Sequence, residues 1–294
     1  MGIWINIFIF LVNCIDWVKS RKFSLVNSIL MSLAFSRIFL LWIMLITGVM
    51  RAFYSDTLVN KETTLILLCL YIMANDSSDS LVTCLNVFYF LKIAHFSHPL
   101  FLWFKWRINR VVLMILLGFL IIFLFLTPPM MVKFMDDNIG SMERKIEQNH
   151  TKSFQTGSLQ VIVAQILLSV GRLIILVISP ITCFLLILFL WKHARQMQFN
   201  AMGFRDPRTE AHIRVMGWLV SCLFLIILYY VGIFITESTS SILEQRLTGL
   251  LGFAIAGSYP SGHSVILILG NSKLKQASLW VWHQALFFLR GGKP

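Results

Sequence analysis

Residues 28–50 read SILMSLAFSRIFLLWIMLITGVM, an apolar run broken by one charge, Arg37. As a helix this stretch reaches roughly 34 Å, enough to cross a hydrocarbon core about 30 Å thick. Stretches of the same character lie on either side of it, at 2–18, 62–94, 110–131, 159–191, 212–236 and 247–270. In lipid, backbone amides must be satisfied within the spanning structure, so these runs predict helices rather than strands. The chain is 57% hydrophobic and 13% charged, whereas about a quarter of a soluble domain is charged. The expectation is an all-α membrane protein: a seven-transmembrane helix bundle over residues 1–271, then a short cytoplasmic tail over 272–294.

Charge sets the orientation. The first connection carries Lys19, Arg21 and Lys22, and the third carries Lys105, Arg107 and Arg110. The fifth carries Lys192, Arg195, Arg205 and Arg208, and the tail Lys273, Lys275, Arg290 and Lys293. In the fourth, Lys133, Arg144, Lys145 and Lys152 are balanced by Asp136, Asp137, Glu143 and Glu147. Basic loops stay in the cytoplasm, which puts the N-terminus outside. Asn149-His150-Thr151, a glycosylation sequon, then falls in an outer loop, whereas the sequon at Asn75 lies within a span. The net charge of +12 is distributed as membrane orientation requires, so no nucleic-acid partner is expected. Met1 leads directly into an apolar run, without the basic start or cleavage site of a signal peptide. Cys14, Cys69, Cys84, Cys183 and Cys222 all sit in apolar runs and offer neither a disulfide framework nor a metal-binding spacing. Neither a cofactor nor a nucleophile–base pair is legible, so an enzyme is not expected.

An N-outside seven-helix topology is G-protein-coupled-receptor-like, but topology alone is an analogy. Motifs make it specific. LVNCIDWVK occupies 11–19, LAFSR 33–37, FYFLKIAHFS 88–97 and FLWFKWR 101–107. Further on, LWKHARQMQ occupies 190–198, RDPRTEAH 205–212, and YPSGHSVILILGNSKLKQ 259–276. In this order and over nearly the whole chain they resemble the type 2 (bitter) taste receptors. A rhodopsin-like receptor would show Asp-Arg-Tyr after its third helix and Asn-Pro-x-x-Tyr in its seventh. A vomeronasal-type receptor shares the topology but not these runs.

The resemblance implies a receptor in the plasma membrane that binds small bitter agonists and activates a heterotrimeric G protein of the gustducin type. In the family, positions matching Asn75, Tyr229, Phe253 and Ala256 line the agonist pocket. A count of helical rise puts Asn75, Arg172, Tyr229 and Phe253 at a common depth in the outer half of the bundle. Each has a packing reading beside the ligand one. On the inner side Lys92, His95, Arg195, Met197 and His212 match positions that face the G protein. Basic side chains there also orient helices and bind anionic membrane lipid. Arg37, a cation within a span, needs partners, and Asn6, His263 and Ser264 are the candidates. It reads as an internal hub or as a gate. Tyr259-Pro260 puts a helix breaker in the last span, a hinge or a fixed kink.

Two departures stand out. The first span has about 15 residues before Asp16, roughly 22 Å of helix, and Ile5 stands where the family carries glycine. The second is Asn75-Asp76-Ser77-Ser78-Asp79-Ser80, with Ser80 where the family has an aromatic residue. Asp76 and Asp79 share one helical face and are costly there unless paired or protonated. Arg172 is the expected partner of one, which would leave the other to receive a cationic ligand. Neutral structural acids are the competing reading. At the level of function, a truncated non-signalling relic and a transporter are the alternatives, although the repeated halves of many transporters are not visible.

Overall fold

The structure, a computed structural model, describes residues 1–20, 24–53, 61–94, 99–121, 155–200, 207–237 and 242–289. Those residues are helical, with no strand among them. The helices are α1 (Gly2–Ser20), α2 (Leu25–Phe53), α3 (Lys61–Ile93), α4 (Pro99–Trp106), α5 (Ile108–Ile121), α6 (Gln155–Asn200), α7 (Pro207–Glu237), α8 (Ile242–Gly270) and α9 (Ser272–Leu289). Among the described residues, stretches of α1, α2, α3, α6 and α7 are long and apolar enough to cross a membrane, and α5 is a shorter apolar helix. Trp42, Leu45, Leu117, Phe184, Ile227 and Phe234 point outward. In water such an outer surface would aggregate, and in hydrocarbon it is simply solvated.

Several polar residues within these helices are satisfied by their own helix. In α3 the hydroxyls of Ser77, Ser80 and Thr83 donate to the carbonyls of Met73, Asp76 and Asp79, four residues earlier, at 2.7, 2.6 and 2.8 Å. In α1 the side-chain amides of Asn6 and Asn13 donate to Gly2 and Ile9 carbonyls in the same way, each at 2.8 Å. This back-bonding removes the penalty of an orphan donor in lipid, so a polar run such as 75–80 can remain helical.

Helix ends follow from local chemistry. Pro99 opens α4, where its missing N–H costs nothing. Lys105, at the end of α4, donates to the Ala94 carbonyl just beyond α3 at 2.9 Å, capping that helix. Asn271 separates α8 from α9, and its Oδ1 accepts from the backbone N–H groups of Lys273 and Leu274 at 3.0 and 3.4 Å, an N-cap. Hydropathy predicts a tail over 272–294 and a loop over 99–106. Both regions contain helix, because aromatic and aliphatic residues (Trp103, Phe104, Trp280, Trp282) supply apolar faces within segments too short or too polar to span.

The chain forms two compact units, Met1–Leu41 with Thr182–Pro294, and Trp42–Ile181. In the first, Ile9 of α1, Ala34 of α2 and Leu274 of α9 form a buried apolar contact lined by Ile5, Phe8, Val12 and Ile268. In the same unit α7 and α8 approach closely enough that a Cβ built on Gly232 would lie 2.8 Å from the Ala256 backbone nitrogen and 2.9 Å from the Gly252 carbonyl oxygen. Only a residue without a side chain fits there. The second unit holds α3, α4, α5 and the first part of α6.

Candidate ligand site and inner polar hub

In the unit of residues 42–181, α3 supplies Asn75, Asp76 and Asp79, and α6 supplies Arg172. Arg172 donates from Nε and from Nη2 to the same carboxylate oxygen, Oδ2 of Asp76, at 3.1 and 3.0 Å. The Arg172 side chain is 44% exposed and that of Asp76 8%. The acid is therefore buried beneath the cation that neutralises it. One turn along α3, Asn75 Nδ2 donates to Asp79 Oδ2 at 3.1 Å. A lone carboxylate within a span costs several kcal/mol, so the guanidinium accounts for Asp76 being tolerated. A second polar link joins the same helices: Asn86 Nδ2 donates to Ser179 Oγ at 3.1 Å, next to the helix-interior Pro180.

In the unit of 1–41 with 182–294, Tyr229 and Ala256 belong to the buried contact of α7 with α8, together with Ile226 and Tyr259. The Tyr229 and Tyr259 rings lie 5.3 Å apart. Phe253 lies on α8. Packing is thus the observed environment of Tyr229 and Ala256.

The same unit brings Asn6, Arg37, Tyr259, Pro260, His263 and Ser264 together. Arg37 is fully buried; its Nη1 lies 3.1 Å from His263 Nδ1 and 2.9 Å from Ser264 Oγ. Arginine only donates, so Nδ1 accepts and the ring proton belongs on Nε2. The Ser264 hydroxyl also lies 2.8 Å from Asn6 Oδ1 and 2.7 Å from the Pro260 carbonyl, two acceptors sharing one proton. The Tyr259 ring faces the guanidinium at 5.9 Å. One cation therefore joins α1, α2 and α8 through hydrogen bonds.

A third cluster was not legible in the sequence. Asp16 Oδ2 accepts from Asn27 Nδ2 at 2.8 Å and from Lys273 Nζ at 2.9 Å, linking α1, α2 and α9. Asp16 and Lys273 stand 257 positions apart, and Leu274, next to Lys273, packs against Ile9 and Ala34 in the same unit. Of the residues matched to G-protein contacts, Lys92 is exposed and its ammonium lies 5.7 Å from the Phe88 ring centre. Arg195 is exposed with its guanidinium 5.9 Å from the Trp191 ring centre. Met197 lies on α6 and His212 on α7. His95 and the sequon residue Asn149 lie outside the described residues. Among the described residues no cluster of three or more His, Cys, Asp or Glu could hold a metal.

Comparison with known proteins identifies the family. The sequence profile described as "Taste receptor protein (TAS2R)" matches residues 1–285. Taste receptor type 2 member 7 of Papio hamadryas is 42% identical over 293 residues, covering 100% of this chain and 92% of that protein. The Macaca mulatta member 7 gives the same identity and coverage. Taste receptor type 2 member 10 of Papio hamadryas is 44% identical over 283 residues, 96% of this chain and 90% of that protein. The chain belongs to the taste receptor type 2 family and is a multi-pass membrane receptor, not an enzyme, of the kind that binds a ligand and couples to a G protein.

Proposed function

We propose that this receptor detects small bitter compounds in the outer half of its helix bundle and passes the signal to a gustducin-type heterotrimeric G protein. The observation that carries the location is the polar cluster of α3 and α6. An ion pair with its cation partly exposed, beside an Asn–Asp hydrogen bond within a span, is costly in lipid, and that cost supports reading it as a functional site. Asn75, Asp76, Asp79 and Arg172 are its members, with Asp79 accepting a hydrogen bond from Asn75. Tyr229, Phe253 and Ala256 join the proposal on helical depth and on family resemblance. Agonist binding shifts the equilibrium between two bundle arrangements, and Arg37, with Asn6, Tyr259, Pro260, His263 and Ser264, forms the hub on which that equilibrium turns. The inner surface offers Lys92, His95, Arg195, Met197 and His212 to the G protein, with the basic tail resting on anionic lipid. The N-terminus faces outward, and Asn149 carries a glycan.

The test is the full chain with an N-terminal tag in cells carrying a chimeric taste G protein, with calcium recorded against a panel of bitter compounds. Dose-dependent responses that vanish without the G protein are expected. Asn75→Ala should raise the half-effective concentration at least 10-fold for the agonists found, at equal surface level. A receptor that reaches the surface and answers no compound would sink the proposal.

A further inference from the structure

We infer that Arg172, held in place by Asp76, reads a negatively charged group on the ligand, so that this receptor selects small amphipathic compounds bearing a carboxylate or sulfonate. The inference rests on the agonist role proposed for the α3–α6 cluster and names the ligand chemistry of part of it.

The first support is the order of the charges. With the Asp76 side chain 8% exposed and that of Arg172 44% exposed, the carboxylate lies beneath the guanidinium, and an approaching molecule meets the cation first. The second is how the donors are spent. Both contacts end on one oxygen, Oδ2, and use Nε and Nη2. A guanidinium has five N–H donors in one plane, so the Nη1 edge lies outside this pairing and has the spacing of a second carboxylate or a sulfonate. Lysine would offer a point charge without that edge.

The third is preorganisation. Asp76 already fixes the guanidinium plane, so an incoming anion need not order a long flexible side chain. The fourth is the sequence around it. Arg172 is the one charge within the apolar stretch 161–191 of α6, a setting that suits an anion on an apolar body better than a bare inorganic ion. Asp79, one turn further along α3, accepts a hydrogen bond from Asn75 rather than from Arg172.

The experiment uses the full chain in the calcium assay, with surface level measured on the same cells, and pairs of compounds that differ only as free acid and neutral methyl ester. Wild type should respond to the acid at a concentration at least 10-fold lower than to its ester. Arg172→Gln should bring the acid-to-ester potency ratio to about one, with Arg172→Lys in between. Because Arg172→Gln leaves a buried carboxylate without its cation, the double substitution Arg172→Gln with Asp76→Asn, which carries no charge, provides the same comparison in a chain that folds more readily. Equal wild-type potency for acid and ester overturns the inference, as does an equal shift of both in the double variant. A wild type at the surface that answers nothing sinks the agonist reading itself, and this inference with it. Anionic lipid could supply the same chemistry. Purified receptor in phosphatidylcholine nanodiscs, with and without phosphatidylglycerol, distinguishes the two: acid affinity is expected to be independent of the anionic lipid, and competition by it would assign Arg172 to the membrane instead.

Discussion

Arg37 illustrates what a single buried cation demands. Its guanidinium is shared among His263 Nδ1, Ser264 Oγ and the Tyr259 ring, and Ser264 in turn engages Asn6. Removing the serine hydroxyl leaves one donor of Arg37 and one acceptor of Asn6 short of a partner. Ser264→Ala should therefore lower stability by about 1–3 kcal/mol. Arg37→Ala removes the donors and leaves a cavity, and should cost about 3–5 kcal/mol. Thermal unfolding of the detergent-solubilised receptor checks the order, and equal melting temperatures for the two variants would contradict it. This cluster was legible in the sequence because an isolated charge in a span must find partners and few polar residues lie deep enough to serve. The Asp16–Asn27–Lys273 cluster was not. Each of its members sits at a helix end, where charges are ordinary, and nothing in the spacing announces the meeting.

Helix contacts separate tight from loose positions. Gly232 of α7 faces α8 backbone at under 3 Å from a would-be Cβ, whereas a Cβ on Gly217 of the same helix meets nothing within 4 Å. Gly232→Ala should destabilise by about 1–3 kcal/mol through overpacking. Gly217→Ala should be neutral or stabilising by roughly 0.5–1 kcal/mol, since alanine is the better helix former. Opposite signs in a thiol-reactive-dye melting assay are the expected outcome. For α9, the buried Leu274 and the exposed Asp16–Lys273 pair compete as the anchor. The pair is 29% and 64% exposed on its two sides, so Asp16→Asn should cost under about 1 kcal/mol. Leu274→Ala should cost about 2–4 kcal/mol. Greater release of α9 by Asp16→Asn than by Leu274→Ala, read by proteolysis of the tail, would reverse that ranking. Hydropathy picked out the runs that become the membrane-length stretches of α1, α2, α3, α6 and α7 but passed over α4 and α9, because a helix that need not cross a membrane leaves no run of the required length.

At the scale of the molecule, the alternation of basic and balanced loops predicts where each terminus lies. An N-terminal tag should be stained on intact cells and a C-terminal tag only after permeabilisation. Endoglycosidase should shift the wild-type band and leave Asn149→Gln unchanged; a shift in that variant would mean a glycan elsewhere. Family membership was the most legible property of all, since seven ordered motifs survive in one chain. The ligand cluster was only half legible, because a sequence places Asp76 and Arg172 at similar depth but not which nitrogen meets which oxygen. The junction of α8 and α9 carries a mechanical consequence. Asn271 alone stands between them, its N–H donating to the Leu267 carbonyl of α8 and its own carbonyl accepting from Lys275 of α9. Such a joint has no slack, so any rotation of the end of α8 would carry α9, and with it Trp280 and Trp282, as the pointer of a dial follows its axle.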